Sequence, residues 1–238
     1  MSWPLAAGLS AVAAAAGGSL YYACSVPASQ MLGPTLVRGP ADRPRIALTF
    51  DDGPARPSTE QILDTLRREQ VPAAFFVCGK NVERYPEVVR RIQAEGHTLG
   101  NHTYSHPLLY LKGRARIAAE IDRTQAAIEH AVGERPRLFR PPYGVRWFGL
   151  FPLLRERGLS VVQWSDTGFD WKENGPAEIA RLALRNLKSG SVILLHDGRE
   201  PREPQEVDAC ATVEALPMII EGARKAGLEW VSVKEFLH

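Results

Sequence analysis

Two adjacent carboxylates, Asp51 and Asp52, stand between the apolar run Ile46-Ala47-Leu48 and a Gly53-Pro54 turn signal. Like charges at a buried strand end are costly to keep ionised without a cation. A divalent metal on one of them would relieve that cost and leave the other free as a base. His102 and His106 lie four residues apart, a spacing that on a helical turn sends both imidazoles to one side. Two histidines and a carboxylate leave open positions on a divalent ion, as a hydrolytic site requires. His196 closes the apolar run Ile193-Leu194-Leu195, and its near-neutral titration suits a general acid. Asp170 could hold that imidazole in the needed tautomer and keep it protonated, with Asp166 as the other acid nearby. In Arg140-Pro141-Pro142-Tyr143 the prolines donate no N–H, so Tyr143 carries the first amide able to serve an oxyanion. Arg140 is the natural partner to keep Asp51 ionised.

These residues need elements that bring them together. From Arg45 onward apolar runs alternate with helical patterns. Strands are expected at Ile46–Phe50, Ala73–Val77, His97–Gly100, Leu138–Phe139, Ser160–Gln163, Val192–Leu195 and Glu229–Val231. Helices are expected at 58–69, with Ser58 as N-cap, and at 86–95, 114–132, 151–157, 177–187, 212–226 and 233–237. Repeated βα units imply a parallel sheet clothed in helices, and about seven of them can close into a barrel. Each polar cluster falls just after a strand. All would therefore meet at one mouth of the barrel.

The 238 residues are 45% hydrophobic and 24% charged, an ordinary globular composition. A net charge of +2, without basic runs, excludes nucleic acid as a natural partner. Residues 1–37 contain no Lys, Arg, Asp or Glu, and Trp3–Tyr22 is almost continuously apolar. At about 1.5 Å per residue that stretch could cross a core of about 30 Å. Residues 1–24 are therefore expected to be a transmembrane anchor or a cleaved signal, with a soluble Ala-rich helix as the other possibility. Residues 25–44, rich in Pro and Gly, are expected to be a linker, and 45–238 the catalytic domain. Three cysteines form no disulfide framework, and Cys78 in its apolar run is expected to be a buried small hydrophobe.

Thr49-Phe50-Asp51-Asp52-Gly53-Pro54, His102-Thr103-Tyr104-Ser105-His106, Arg140-Pro141-Pro142-Tyr143, Asp170-Trp171 and Leu194-Leu195-His196 together resemble the polysaccharide deacetylases, the carbohydrate esterase family 4 or NodB-homology domain. The likeness spans nearly all of residues 45–238, with five motifs in family order. It implies an α/β fold, a distorted (β/α)7 TIM-like barrel, here with an N-terminal apolar helix. It also implies metal-dependent removal of N-acetyl groups from a GlcNAc-containing polysaccharide such as peptidoglycan or a chitin-like polymer. By motif, Asp51 resembles the catalytic base, and Asp52, His102 and His106 the metal ligands, for Zn²⁺ or for Co²⁺ or another divalent ion. Arg140 resembles the residue that orients the base, Tyr143 the backbone oxyanion donor, and Asp170 the partner of the acid His196. Trp171 and Leu194 resemble the walls of the acetyl pocket.

The same residues would also serve an O-acetyl esterase on acetylated xylan-like polymers. A metal-keeping glycan-binding module and a cytoplasmic amidohydrolase on cyclic amides are less consistent with the complete acid and base set and with the apolar N-terminus. The expected molecule is a monomer with its catalytic domain outside the cytoplasm, membrane-anchored or secreted. Its charged loop 198–208 flanks the acid and could shape substrate choice.

Overall fold

The computed structural model describes residues 16–201 and 210–237. Residues 16–25 are helical (α1). They are followed by β1 (Thr35–Leu36), β2 (Arg45–Asp51), α2 (Ser58–Glu69), β3 (Ala73–Val77), α3 (Gly79–Arg84), α4 (Pro86–Ala94) and β4 (Thr98–Asn101). Then come α5 (Arg114–Val132), β5 (Leu138–Phe139), α6 (Leu150–Glu156), β6 (Ser160–Val162), β7 (Asp166–Thr167), α7 (Pro176–Leu184), β8 (Val192–His196), α8 (Cys210–Lys225) and β9 (Glu229–Trp230). Two short 3-10 turns, Pro142–Gly144 and Val233–Phe236, complete the described chain.

The strands form one parallel sheet in the order β1-β6-β5-β4-β3-β2-β8-β7. Its two ends approach each other at Arg38, which bridges to Ser191 and pairs with Asp166 on β7 at 3.2 Å. The fold is thus α/β, a curled parallel sheet consistent with a distorted (β/α)7 barrel.

Alternation along each strand sorts its side chains between two interiors. Leu48 and Phe50 of β2, with Phe75 and Val77 of β3, pack outward against Ile62, Leu66, Val89, Ile179 and Ile219 of the helical layer. Ala47 of β2 and Ala74 and Phe76 of β3 face the barrel lumen, where Val162, Val192, Val233 and Phe236 join them. The C-terminal 3-10 turn therefore plugs the floor of the barrel. With β2 buried on both faces, its charged side chains stand at its two ends, Arg45 at one and Asp51, followed by Asp52, at the other.

Several expectations change. The stretch 25–44 contributes β1 and the Arg38 bridge, because Pro and Gly content signals irregular backbone and not a lack of packing. The last expected strand, Glu229–Val231, forms only at Glu229–Trp230 and pairs only with Arg45 and Ile46 of β2, off the main path; the additional strand beside β8 is β7, too short to show a pattern. Ser58 does not cap α2: Pro57 is the N-cap, and the Ser58 hydroxyl donates to the Asp197 carbonyl at 2.6 Å. Helix α3 had no signal, since Gly79-Lys80-Asn81 is a poor helix opening.

Most of Trp3–Tyr22 lies outside the described residues, so neither an N-terminal apolar helix of that length nor its role is visible. Among the described residues no helix is long and apolar enough to cross a membrane. Residues 202–209 of the charged loop also lie outside the described residues, whereas Arg199 and Glu200 line the barrel mouth.

Candidate active site

Five strand ends supply the site. Asp51 ends β2 and is in register with His196 on β8, so base and acid candidates start side by side on neighbouring strands. Asp52 follows at φ 75°, a left-handed turn that swings its carboxylate toward the loop after β4. That turn is held from below. Asn81 Nδ2 donates to the Asp52 carbonyl at 2.7 Å, and the Gly53 amide donates to Asp197 Oδ1 at 3.2 Å. A Cβ on residue 53 would collide with the Asp197 carboxylate, so only glycine fits there.

His102 and His106 converge on Asp52 from a loop, not from the helical turn that their spacing suggested. Thr103 (φ 65°) and His106 (φ 53°) are left-handed, and these reversals achieve what a helical repeat would have done. His102 Nε2 is 3.4 Å and His106 Nε2 3.2 Å from Asp52 Oδ1. All three residues are buried, and their ligand atoms lie within 4.8 Å of one another. Asp52 Oδ1 has no hydrogen-bond partner, an expensive state for a buried carboxylate unless a cation sits against it. The donor set of two imidazoles and one carboxylate fits a divalent ion with open positions.

The charges agree. Burial alone would raise the Asp52 carboxyl, but the His102 and His106 imidazoles outweigh it and hold it at about 2. Burial and the neighbouring His102 push His106 down to about 4, leaving a neutral ring with a lone pair. Burial pulls His102 down, yet Asp51 and Asp52 raise it overall, and its Nδ1 lies 2.7 Å from the Arg140 carbonyl. That contact leaves Nε2 to face Asp52.

Asp51 borders this triad, its Oδ2 3.7 Å from His102 Nε2, but its other oxygen is held by an arginine. Arg140 Nη1 donates to Asp51 Oδ1 at 2.7 Å and to Thr49 at 2.9 Å, while Nε and Nη2 donate to the Val162 and Gln163 carbonyls. The guanidinium is fully buried and lies over the Phe76 ring at 4.1 Å. A buried cation with this many fixed acceptors aims a charge at Asp51 without sharing it with solvent.

On the other flank, His196 Nδ1 is 3.0 Å from Asp170 Oδ1. Asp170 Oδ2 accepts from the His196 amide at 2.7 Å and from Thr212 at 3.0 Å. Burial would lower His196, but the Asp170 carboxylate overrides it and lifts the imidazole to about 9. Asp166 has no share in this: it pairs with Arg38 instead. Tyr143 sits at φ 57° in the turn after the prolines, its ring 4.6 Å from His106 and its hydroxyl bonded to Glu200. Trp171 stands edge-on to His196 at 5.4 Å and is half exposed, whereas Leu194 is buried. Asp51, Asp52, His102, His106, Tyr143, Asp170, Trp171, Leu194 and His196 all line one cavity of about 920 Å³. Arg140 lies behind it.

Four supporting residues escaped the sequence reading: Asn81, Glu120, Asp197 and Thr212. Only Asp197 carried a signal, its place next to His196. Burial pushes its carboxyl up to about 7, with Asp52 and Asp51 adding to the shift against the Thr59 hydrogen bond.

Comparison with known proteins places this geometry in a family. The polysaccharide deacetylase family model matches residues 38–162. A peptidoglycan-N-acetylglucosamine deacetylase of Bacillus cereus is 37% identical over 195 residues, covering 82% of this chain and 69% of its own. A chitooligosaccharide deacetylase of Sinorhizobium fredii is 36% identical, covering 81% and 92% respectively. Among solved structures, the Bc1960 peptidoglycan N-acetylglucosamine deacetylase superposes with a TM-score of 0.78 at 35% identity, over 85% of this chain and 92% of that one. The chain belongs to the polysaccharide deacetylase family. Its fold is that of the carbohydrate esterase family 4 enzymes.

Proposed function

We propose that the protein is a metal-dependent N-deacetylase of GlcNAc-containing polysaccharides, peptidoglycan or chitin-like. The observation that carries this reading is the arrangement around the triad. A buried Asp52–His102–His106 set stands between an arginine-held carboxylate and an aspartate-held imidazole. The relatives named for peptidoglycan and chitooligosaccharides support the substrate class.

Asp52, His102 and His106 would hold the ion, with Zn²⁺ the best match to the donors and Co²⁺ or another divalent ion compatible. Once bound, the ion supplies Lewis acidity to the acetyl carbonyl and to water. Asp51 takes the proton of the attacking water, and Arg140 keeps that carboxylate aimed. The Tyr143 amide donates to the carbonyl oxygen as it gains charge. His196 delivers a proton to the departing nitrogen as the C–N bond breaks, giving acetate and a free amine. Trp171 and Leu194 enclose the methyl. Hydrolysis is direct, with no covalent acyl-enzyme.

A residue held protonated to about pH 9 suits an amine leaving group, which favours this reading over ester hydrolysis on xylan-like polymers. A single chain carries the whole site, consistent with a monomer. The uncharged N-terminus supports an anchored or secreted protein acting outside the cytoplasm. The deciding assay is acetate release from N-acetylglucosamine oligomers, with acetylated xylan as the ester comparison. No release from any acetylated glycan with Zn²⁺ or Co²⁺ supplied would overturn the proposal.

A further inference from the structure

We infer that Glu120, which touches neither the ion site nor the cavity, is the positioning residue that gives the protein its metal affinity. The inference rests on the proposed metal at Asp52, His102 and His106. Glu120 lies in the second turn of α5, buried at 5% exposure although it carries a carboxylate. Its Oε2 accepts the Tyr104 amide at 3.1 Å and the Ser105 amide at 2.8 Å, and its Oε1 accepts the Ser105 hydroxyl at 2.9 Å.

These bonds fall on two of the three residues that separate the two histidines. The remaining amide of that span, Thr103 N–H, donates to Asn101 Oδ1 at 2.9 Å. Asn101 is itself tied to α5, through Nδ2 to the Ile121 carbonyl at 3.0 Å. On the opposite side, the Thr103 and Tyr104 carbonyls accept the Gly79 and Lys80 amides at 3.0 Å each. Every amide between the ligands is therefore accepted by a side chain, two of the three by one carboxylate.

The loop needs this restraint. Thr103 and His106 both adopt left-handed backbone, uncommon for any residue but glycine and least suited to the β-branched Thr103, and those reversals are what bring the two imidazoles together. Without an acceptor at Glu120, the buried Tyr104 amide and the half-buried Ser105 amide would lose their partner and the loop would relax toward ordinary backbone angles, separating the imidazoles. A carboxylate that accepts backbone N–H groups also binds them more firmly than a neutral acceptor. Arg116, one turn earlier on α5, lies 3.2 Å from Glu120 Oε1 and keeps it oriented from the solvent side. Glu120 is thus to the backbone of the ligand loop what an outer-shell partner usually is to a ligand ring.

The test is Zn²⁺ affinity, measured on metal-free full-length protein by competition with a chromophoric chelator, together with thermal unfolding with and without Zn²⁺. Loss of such an outer partner typically weakens metal binding by about 10–100-fold, and Glu120→Ala should fall in that range. Glu120→Gln keeps one carbonyl acceptor and should recover part of the loss. Ser105→Ala removes only the hydroxyl bond and should stay within about threefold of wild type. A purely structural residue would lower unfolding temperature equally with and without Zn²⁺ and leave the dissociation constant alone. A folded Glu120→Ala with wild-type affinity overturns the inference. If Glu120→Ala fails to fold, an unchanged dissociation constant in Glu120→Gln overturns it equally. Wild-type protein that takes up no Zn²⁺ would overturn the metal reading as well, so the two failures are told apart.

Discussion

Asp51 and Asp52 are chemical equals in sequence and opposites in structure. One faces a buried guanidinium at 2.7 Å, and the other faces two imidazoles. The division of labour predicts different losses. Asp52→Ala should abolish Zn²⁺ binding, whereas Asp51→Asn should still bind the ion but lose about 10²–10⁴ in acetate release. Equilibrium dialysis and the acetate assay, run on both variants, would expose a reversed assignment. The acid makes a pH prediction. His196 is protonated below about pH 9, so turnover should fall as pH rises through that value. Asp170→Asn removes the charge that retains the proton, and the alkaline limb of kcat should move down toward the ordinary imidazole range near ~6.5. A limb that stays in place in the variant would refute this role for Asp170.

The elements do their work through their ends and edges. Parallel strands deliver five clusters to one rim because every strand runs the same way. The register of β2 against β8 sets Asp51 beside His196. The less expected contribution comes from the N-terminal strap. Arg146 is buried just beyond the Tyr143 turn; its amide donates to the Cys24 carbonyl at 2.9 Å and its guanidinium to the Ser29, Val26 and Pro27 carbonyls. Farther along, the Gln163 amide donates to the Leu36 carbonyl at 2.7 Å, while Gln163 Nε2 donates to the Gly144 carbonyl at 2.7 Å. The strap thus braces the turn that carries Tyr143. A chain begun at Pro40 would leave Arg146 buried without those carbonyls, at about 1–3 kcal/mol, and would also lose β1. Thermal unfolding should show a drop of several degrees, with acetate release reduced. Wild-type stability in the truncated chain would show that the strap adds nothing.

At the scale of the molecule, the barrel is a closed floor under an open mouth. Val233 and Phe236 seal one end with apolar bulk, and the polar groups gather at the other. Binding of an ion at that mouth couples function to stability, since the unfolded chain lacks the site. Removing metal with a chelator should lower the unfolding temperature, and Zn²⁺ at about 100 times its dissociation constant should restore about 2.7 kcal/mol. His106→Ala should unfold at one temperature with or without Zn²⁺. A chelator-insensitive wild type would contradict a metal at this triad.

Residue order alone located most of the strands, the sequence of polar clusters after them and the candidate reacting groups. Apolar alternation is local, and a polar cluster after each run is visible without coordinates. Helices 58–69 and 114–132 and strands 73–77 and 138–139 were legible for the same reason. How His102 and His106 converge was fixed in three dimensions, because a four-residue spacing is equally compatible with a helix and with two left-handed reversals held by Glu120. The tertiary structure also decided that Asp170 and not Asp166 contacts His196, and that the stretch 25–44 supplies an edge strand, Thr35–Leu36, to the sheet. Those outcomes depend on partners 15 to 153 residues away, such as Glu120 for Ser105, His196 for Asp170 and Ser191 for Arg38, which no local pattern can name. Chemistry is written in residue types, but its geometry is set by contacts between distant parts of the chain.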